Sequence, residues 1–290
     1  MAVQFIIDSG SDILPHEAEE LGAIHLPLKV LFGEKEYADG VDLTHREFYE
    51  KLVESDVLPT TSQITPADYM DAYERVVSAG DEAVVITLSG KLSGTYQSAM
   101  LAAQEYEGKV FVVDSENVCI GERILILRGV KLREQGLTAQ EIAKQLDKEK
   151  KQIRVLALLD TLEYLKKGGR ISAATALAGG LLSIKPVLAV EKGGLVQMGK
   201  ARGSRMGNNL LRELTVKCGG IDFEKPLCLA YSGLSDTLLQ KYIEDSAELW
   251  KDHMGKLPVA TVGCAIGTHA GPGAIAVAFF ANSDGDPTNP

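Results

Sequence analysis

The sequence predicts an α/β protein of two α/β domains, with a largely parallel sheet in the N-terminal domain and a mixed sheet in the C-terminal domain. Short apolar runs that end in turn residues recur along the chain, which is typical of buried strands. Segments with apolar residues three and four positions apart lie between several of these runs and indicate helices. Strands that alternate with helices favour layered α/β folds. The length of 290 residues fits two modest domains.

The elements follow in chain order from these patterns. One helix is predicted at residues 65–80, where Thr65 and Pro66 form a start signal, and a second is predicted at residues 237–253. The predicted strands are the apolar runs at residues 3–8, 83–89, 109–115, 153–160, 225–232 and 274–280.

The domain organisation rests on two further segments. Gly193 and Gly194 lie between apolar stretches in residues 190–197, which predicts a β-hairpin and hence a mixed second sheet. The polar segment 145–152 is the best candidate for a domain boundary. The predicted domains are residues 1–150 and 151–281, followed by a flexible tail at 282–290.

Composition excludes several classes of protein. No apolar run reaches the roughly 18 residues that a membrane span needs, so no integral membrane segment is predicted. The first residues lack a basic region and reach Asp8 within the first apolar run, unlike a signal peptide, so we expect a cytoplasmic protein. The cysteines are dispersed without a CxxC pair, which favours buried thiols over a metal or redox site; they are Cys119, Cys218, Cys228 and Cys264.

The charge is unevenly distributed. The net charge of −10 argues against nucleic-acid binding. Residues 151–217 nevertheless hold twelve Lys or Arg against four Asp or Glu, a local balance of +8. Such a segment is either a solvated face or a surface that receives an acidic partner or a phosphate.

Residues 88–99, LSGKLSGTYQSA, follow an apolar strand and open a helix. The spacing around Ser93 is GxxSG rather than the GxSxG of a nucleophile elbow, and Leu92 interrupts a phosphate-binding Gly-Lys-Ser/Thr sequence. Gly90 and Gly94 permit close approach of a ligand to the backbone, and the following helix N-terminus favours an anion. The same residues also fit a plain helix cap at Ser93.

Two other segments offer polar groups. Residues 59–66, PTTSQITP, place Thr61 and Ser62 before a capped helix, either as an anion cradle or as a loop with local hydrogen bonds. His269 lies among small residues just before a buried strand, where it is either structural or free to reach a ligand. No acidic residue lies close to it in sequence to complete a catalytic triad, although the fold can supply one.

Residues 162–172, LEYLKKGGRIS, place cations around a glycine turn. A helix C-terminus explains Lys166 and Lys167, whereas Arg170 lies beyond the end of that helix. The small apolar residues of 171–190 form either a plain core element or the wall of a narrow cavity for a long aliphatic ligand.

Taken in order, several motifs resemble the DegV family of bacterial fatty-acid-binding proteins over nearly the whole chain. Each motif is weak by itself, and their common order is what carries the resemblance. The matching segments are DSGSDI (8–13), DGVDLT (39–44), TSQITP (61–66), LSGTYQSA (92–99), VDSENV (113–118), LEYLKKGGRIS (162–172), KPVLAV (185–190), ARGSRM (201–206) and THAGPGA (268–274).

The resemblance implies a specific function. Family members hold one long-chain fatty acid between two domains and need no other cofactor. Many members serve as the non-catalytic, acyl-carrying subunit of a bacterial fatty acid kinase, whose ATP-binding subunit phosphorylates the acid for phospholipid synthesis. By this resemblance the carboxyl site is Thr61, Ser62, Ser93 and Gly94 with His269 close by, and the site for partner docking or phosphate is Lys166, Lys167, Arg170, Arg202 and Arg205.

Two other functions remain open at this point. One is a hydrolase or acyltransferase with Ser93 as nucleophile and His269 as base, which the missing elbow disfavours. The other is a polyol-binding subunit similar to those of dihydroxyacetone kinases, which the apolar stretch at 171–190 disfavours.

Overall fold

The computed structural model describes residues 2–171 and 184–283. Most of the predicted apolar wall, at 172–183, and most of the predicted tail, at 284–290, therefore lie outside the described residues. The division of the chain at residue 150 stays a prediction.

The described strands and helices alternate through most of the chain. The strands are β1 Val3–Asp8, β2 Ala23–Leu26, β3 Lys29–Phe32, β4 Lys35–Ala38, β5 Thr60–Ser62, β6 Glu82–Thr87, β7 Val110–Asp114, β8 Ile153–Leu158, β9 Ile184–Glu191, β10 Gly194–Arg202, β11 Cys228–Tyr231, β12 Val259–Thr261 and β13 Ile275–Phe280. The helices are α1 Pro15–Glu20, α2 His45–Glu54, α3 Pro66–Ser78, α4 Thr95–Ala103, α5 Ile120–Glu134, α6 Ala139–Glu149, α7 Glu163–Lys167, α8 Gly203–Lys217, α9 Thr237–Asp245, α10 Ala247–Trp250 and α11 Cys264–Ala270.

The strands form three sheets, and the predicted fold class is confirmed. A parallel sheet in the order β2-β1-β6-β7 belongs to the first half of the chain. A mixed sheet in the order β10-β9-β8-β13-β11-β12 belongs to the second half, where only β11 and β12 run parallel. A third, antiparallel sheet of β4, β3 and β5 was not predicted, and it carries Thr61 and Ser62.

The predicted strands and the hairpin are all present. The hairpin joins β9 to β10 through Lys192 and Gly193, whose φ angles are +47° and +80°. Positive φ at both central residues is typical of two-residue hairpin turns. Helix α3 begins as predicted, because the Thr65 hydroxyl accepts a hydrogen bond from the Asp68 amide at 3.3 Å.

The second predicted helix is interrupted. Residues 237–253 divide into α9 and α10 at Ser246, and a 3₁₀ helix follows. The interruption lets the buried Trp250 indole donate to the Ile243 carbonyl at 3.1 Å. In one straight helix these residues would lie roughly 10 Å apart along the axis.

Helix α5 packs between the two large sheets. Ile120, Ile124 and Leu125 are fully buried and belong to a core that reaches Phe5 of the parallel sheet and Ala276 of the mixed sheet. The other face of the mixed sheet packs against α8 and α9. No helix among the described residues is long and apolar enough to span a membrane.

Candidate functional site

A cavity of about 360 Å³ lies between the two halves of the chain. This volume falls within the range of small-molecule sites, roughly 300–1,000 Å³. Most of its wall is apolar and comes from strands of the mixed sheet and from the loops that follow strands of the parallel sheet. The apolar wall includes Leu88, Leu92, Val118, Val155, Ala157, Leu188, Val190, Val262, Ile275 and Ala276.

One part of the wall is polar, and it contains the predicted carboxyl site. Thr61, Ser62, Ser93, Gly94 and His269 all line the cavity, so the structure brings together residues from β5, from the loop after β6 and from α11. The Thr61 hydroxyl and His269 Nε2 are 2.9 Å apart, although the residues are 208 positions apart in the chain. The hydrogen bond therefore joins the two halves at the cavity.

The loop before α4 holds Ser93 in place through its backbone. The carbonyl of Ser89 accepts hydrogen bonds from the amides of Leu92 and Ser93 at 3.0 and 3.1 Å. The Ser93 hydroxyl lies 2.9 Å from the Thr95 hydroxyl and accepts from the Thr95 amide at 3.3 Å. The N-cap residue of α4 is Gly94, so the predicted cap at Ser93 is wrong by one position; Ser93 precedes the cap, contacts the first turn and also lines the cavity.

Gly94 is in close contact with the Gln63 side chain, which would have to move to admit a larger residue. A Cβ at position 94 would lie 2.0 Å from Gln63 Oε1, which is far inside van der Waals contact. Gln63 donates through Nε2 to the Ser98 hydroxyl at 2.9 Å. Gly94 therefore allows the strand that carries Thr61 to approach the loop that carries Ser93.

His269 is a neutral imidazole at physiological pH. Burial and the neighbouring Arg170 guanidinium lower its pKa to about 4. Its Nδ1 is buried and has no hydrogen-bond partner among the described residues, and it faces Gly168, where a Cβ would lie 2.1 Å away. An unpaired acceptor costs less than an unpaired buried N–H. This favours the tautomer in which Nε2–H donates to Thr61, so the Thr61 hydrogen is free for a ligand.

Arg170 lies in the cavity wall rather than on an open surface. Its guanidinium donates to the Leu92 carbonyl at 3.1 Å and to the Gly168 carbonyl at 2.7 Å. It therefore links α7 and its following turn to the Ser93 loop. The four other cations predicted for docking, Lys166, Lys167, Arg202 and Arg205, are exposed.

The site does not have the geometry of a serine nucleophile with its base. The Nε2 atom of His269 contacts Thr61, and the described contacts of the Ser93 hydroxyl are to Thr95. No carboxylate contacts Nδ1 among the described residues. The described part of the chain also contains no group of His, Cys, Asp or Glu arranged to hold a metal, and its four cysteines are buried free thiols.

Comparison with known proteins is decisive for the family. The family model for DegV matches residues 2–282, nearly the whole chain. The chain belongs to the DegV family. A DegV domain-containing protein of Deinococcus radiodurans is 34% identical over 283 residues, which cover 96% of this chain and 98% of the relative.

Solved structures of DegV proteins share the fold. A DegV family protein from Thermus thermophilus, described as binding fatty acid, has a TM-score of 0.85 and 31% identity, and the match covers 97% of this chain and all of that one. DegV of Bacillus subtilis, described as a fatty acid binding protein, has a TM-score of 0.79 and 28% identity, with 96% and 98% of the two chains covered.

Several cavity residues had no functional prediction from the sequence. Ala157, Ala274 and Ala276 line the cavity from the central strands β8 and β13 and the turn before β13. No local pattern marks them, because Ala157 and Ala276 come together only through the pairing of β8 with β13. Leu188, Ala189 and Val190 confirm that part of the predicted stretch 171–190 lines a cavity.

Proposed function

We propose that this DegV protein binds one long-chain fatty acid in the cavity, with the acyl chain in the apolar part and the carboxylate at Thr61, Ser93 and His269. The observation that best supports this is that the cavity wall is mostly apolar and contains one small group of uncharged hydrogen-bond donors. The fatty-acid-binding relatives of 31% and 28% identity support the ligand class. An apolar wall does not suit a polyol.

The energetics fit this division of the cavity. Each buried methylene contributes about 0.8 kcal/mol, so the fourteen methylenes of palmitate provide about 11 kcal/mol before the costs of binding. The carboxylate therefore needs orientation more than affinity. Hydroxyls of Thr61 and Ser93 provide hydrogen bonds without an ion pair, and Arg170 supplies a nearby positive charge that favours the ionised acid.

The proposal extends to the fate of the bound acid. The protein presents the carboxylate to a separate ATP-binding kinase subunit in the cytoplasm, which forms an acyl phosphate that feeds phospholipid synthesis. The protein itself has no catalytic role and needs no cofactor. A carboxylate held by neutral hydroxyls keeps its nucleophilic oxygen available, since a bidentate ion pair would compete for the same lone pairs.

The test uses delipidated protein and palmitate. We expect uptake of one palmitate per chain, measured by native mass spectrometry and calorimetry. Thr61→Ala and Ser93→Ala should each weaken binding roughly tenfold, because each removes a hydrogen bond to a charged group. Ser78→Ala, at the exposed end of α3, is the matched control. A wild-type protein that takes up no palmitate would refute the function.

A further inference from the structure

The backbone amides at the start of the helix that carries His269 donate hydrogen bonds to carboxylates from the other half of the chain. The Cys264 amide donates to Asp39 Oδ1 at 2.9 Å, and the Ala265 amide donates to Asp39 Oδ2 at 3.2 Å. The amide of Gly263, which precedes α11, donates to Asp12 Oδ1 at 2.9 Å. Asp39 thus uses both oxygens on the first turn of α11.

Gly263 has no side chain with which to cap the helix, and the packing leaves no room for one. A Cβ at this position would lie 2.9 Å from Asp12 Oδ1 and 3.0 Å from His45 Nε2. Asp39 substitutes for a local cap residue from 225 positions away. It is 1% exposed and is itself held by the Ser9 hydroxyl, which donates to Oδ2 at 2.9 Å.

The position of the first turn of α11 determines where His269 lies in the cavity wall. Helix α11 is seven residues long, so Cys264 and His269 are little more than one turn apart. The helix also packs closely on α2, where a Cβ on Gly267 would lie 2.6 Å from the Tyr49 hydroxyl. A short, tightly packed helix moves as a unit. A shift of its first turn therefore moves the imidazole away from Thr61.

We propose that Asp39 is a positioning residue of the fatty-acid site, which sets the Thr61–His269 hydrogen bond by fixing the start of α11. Asp39 is not among the residues that line the cavity, so it acts through the helix. The inference rests on the proposed function for its effect on fatty-acid binding. Its effect on His269 is independent of any ligand.

The first experiment is Asp39→Asn. An asparagine offers one acceptor oxygen, and its NH₂ group would face an amide N–H or the Ser9 hydroxyl in place of the second oxygen. We expect roughly tenfold weaker palmitate binding. In ligand-free protein the His269 ring signals should shift in NMR spectra of histidine-labelled samples. Unchanged signals would overturn the proposal.

A double-mutant cycle separates positioning from general loss of stability. If Asp39 acts through His269, Asp39→Asn should weaken palmitate binding in the wild-type background and have little further effect in the His269→Ala background. Additive losses would contradict the proposal. Glu149→Gln is the matched control, because it alters a buried carboxylate paired with Arg128 that does not line the cavity.

A second variant serves if Asp39→Asn fails to fold, as judged by circular dichroism. Ser9→Ala keeps the carboxylate but removes one of its supports, so it should give a smaller change of the same kind in the same cycle. Folded Ser9→Ala protein with wild-type His269 signals and palmitate affinity would overturn the proposal. If wild-type protein binds no palmitate, the proposed function fails, and the NMR signals of ligand-free Asp39→Asn still test the positioning role.

Discussion

At the scale of single residues, His269 shows how its surroundings set the charge of the site. Burial and Arg170 lower its pKa to about 4, below the ordinary value of 6.5. The folded protein therefore binds this proton more weakly than the unfolded chain does. Through this group, the free energy of unfolding should decrease as the pH falls from about 6.5 towards 4.

The corresponding prediction is a titration of the His269 ring. We expect its NMR signals to stay constant between pH 8 and about 5.5 and to change near pH 4. Between pH 8 and about 5.5, the contribution of His269 to palmitate affinity should therefore stay constant. The His269→Gln spectrum assigns the signals. A midpoint near 6.5 would show that the ring is solvated and would contradict the neutral site.

The residues of the site were partly predictable from the sequence. Ser93 and Thr61 belong to polar segments beside apolar ones, which a local pattern can reveal. The contact of Asp39 with the start of α11 joins residues 225 positions apart, and no local pattern encodes it. The sequence leaves Arg170 unexplained by its helix, and only the fold shows that its guanidinium contacts the Ser93 loop.

At the scale of elements, strands within buried apolar runs were predictable, and short, partly exposed strands were not. The six predicted runs are core strands, and several of them are almost wholly buried. Strands β2 to β5 contain three or four residues of mixed exposure, so neither a continuous apolar run nor a clean alternation marks them. Their positions depend on pairing partners, yet β5 is the strand that brings Thr61 to the cavity.

The β9–β10 hairpin connects the two halves of the chain. The Ser89 hydroxyl donates to the Gly193 carbonyl at 2.7 Å, and both groups are in a buried contact. A Cβ on Gly193 would lie 2.6 Å from the Ser89 hydroxyl oxygen, and the φ angle of Gly193 is +80°. The glycine is therefore needed both for the turn and for the contact.

We predict that Gly193→Ala is more destabilising than backbone strain alone explains. Gly108→Ala is the matched control, because Gly108 has a φ of +76° and nothing within 4 Å of its Cβ position. Urea unfolding should show a loss of about 1 kcal/mol for the control and about 2–3 kcal/mol for Gly193→Ala. Palmitate binding should weaken only in the latter. Equal losses would mean that the hairpin contact contributes nothing.

At the scale of the whole molecule, the basic residues lie at one end of the mixed sheet, near the helix that carries His269. Leu158 at the end of β8 pairs with Val187 near the start of β9 and with Ile275 at the start of β13. Arg202 at the end of β10 pairs with Ile184. Helix α7, which carries Lys166 and Lys167, follows the end of β8, and helix α11, which carries His269, precedes the start of β13; the two helices are in contact.

Under the proposed function, this arrangement favours docking of an acidic surface of the kinase subunit beside the bound carboxylate. Arg202 and Arg205 are exposed and do not line the cavity, so they test docking more cleanly than Arg170 does. We predict that Arg202→Glu with Arg205→Glu leaves palmitate uptake unchanged. The same double variant should slow association with the proposed ATP-binding subunit roughly tenfold or more, because charge complementarity mainly sets the association rate.

The control for this prediction reverses the same amount of charge elsewhere. Lys151 and Lys217 are exposed, belong to the same basic segment, and do not line the cavity. Lys151 precedes β8, at the opposite end of the sheet. Lys151→Glu with Lys217→Glu changes the net charge equally, so a purely global effect would slow association as much as the Arg202 and Arg205 variant does.

Stopped-flow association rates at two salt concentrations separate the outcomes. A local docking contact predicts that only the Arg202 and Arg205 variant associates more slowly. The difference should diminish at the higher salt concentration, because salt screens the charges of both proteins. Equal rates for the two double variants would contradict docking at this end of the sheet.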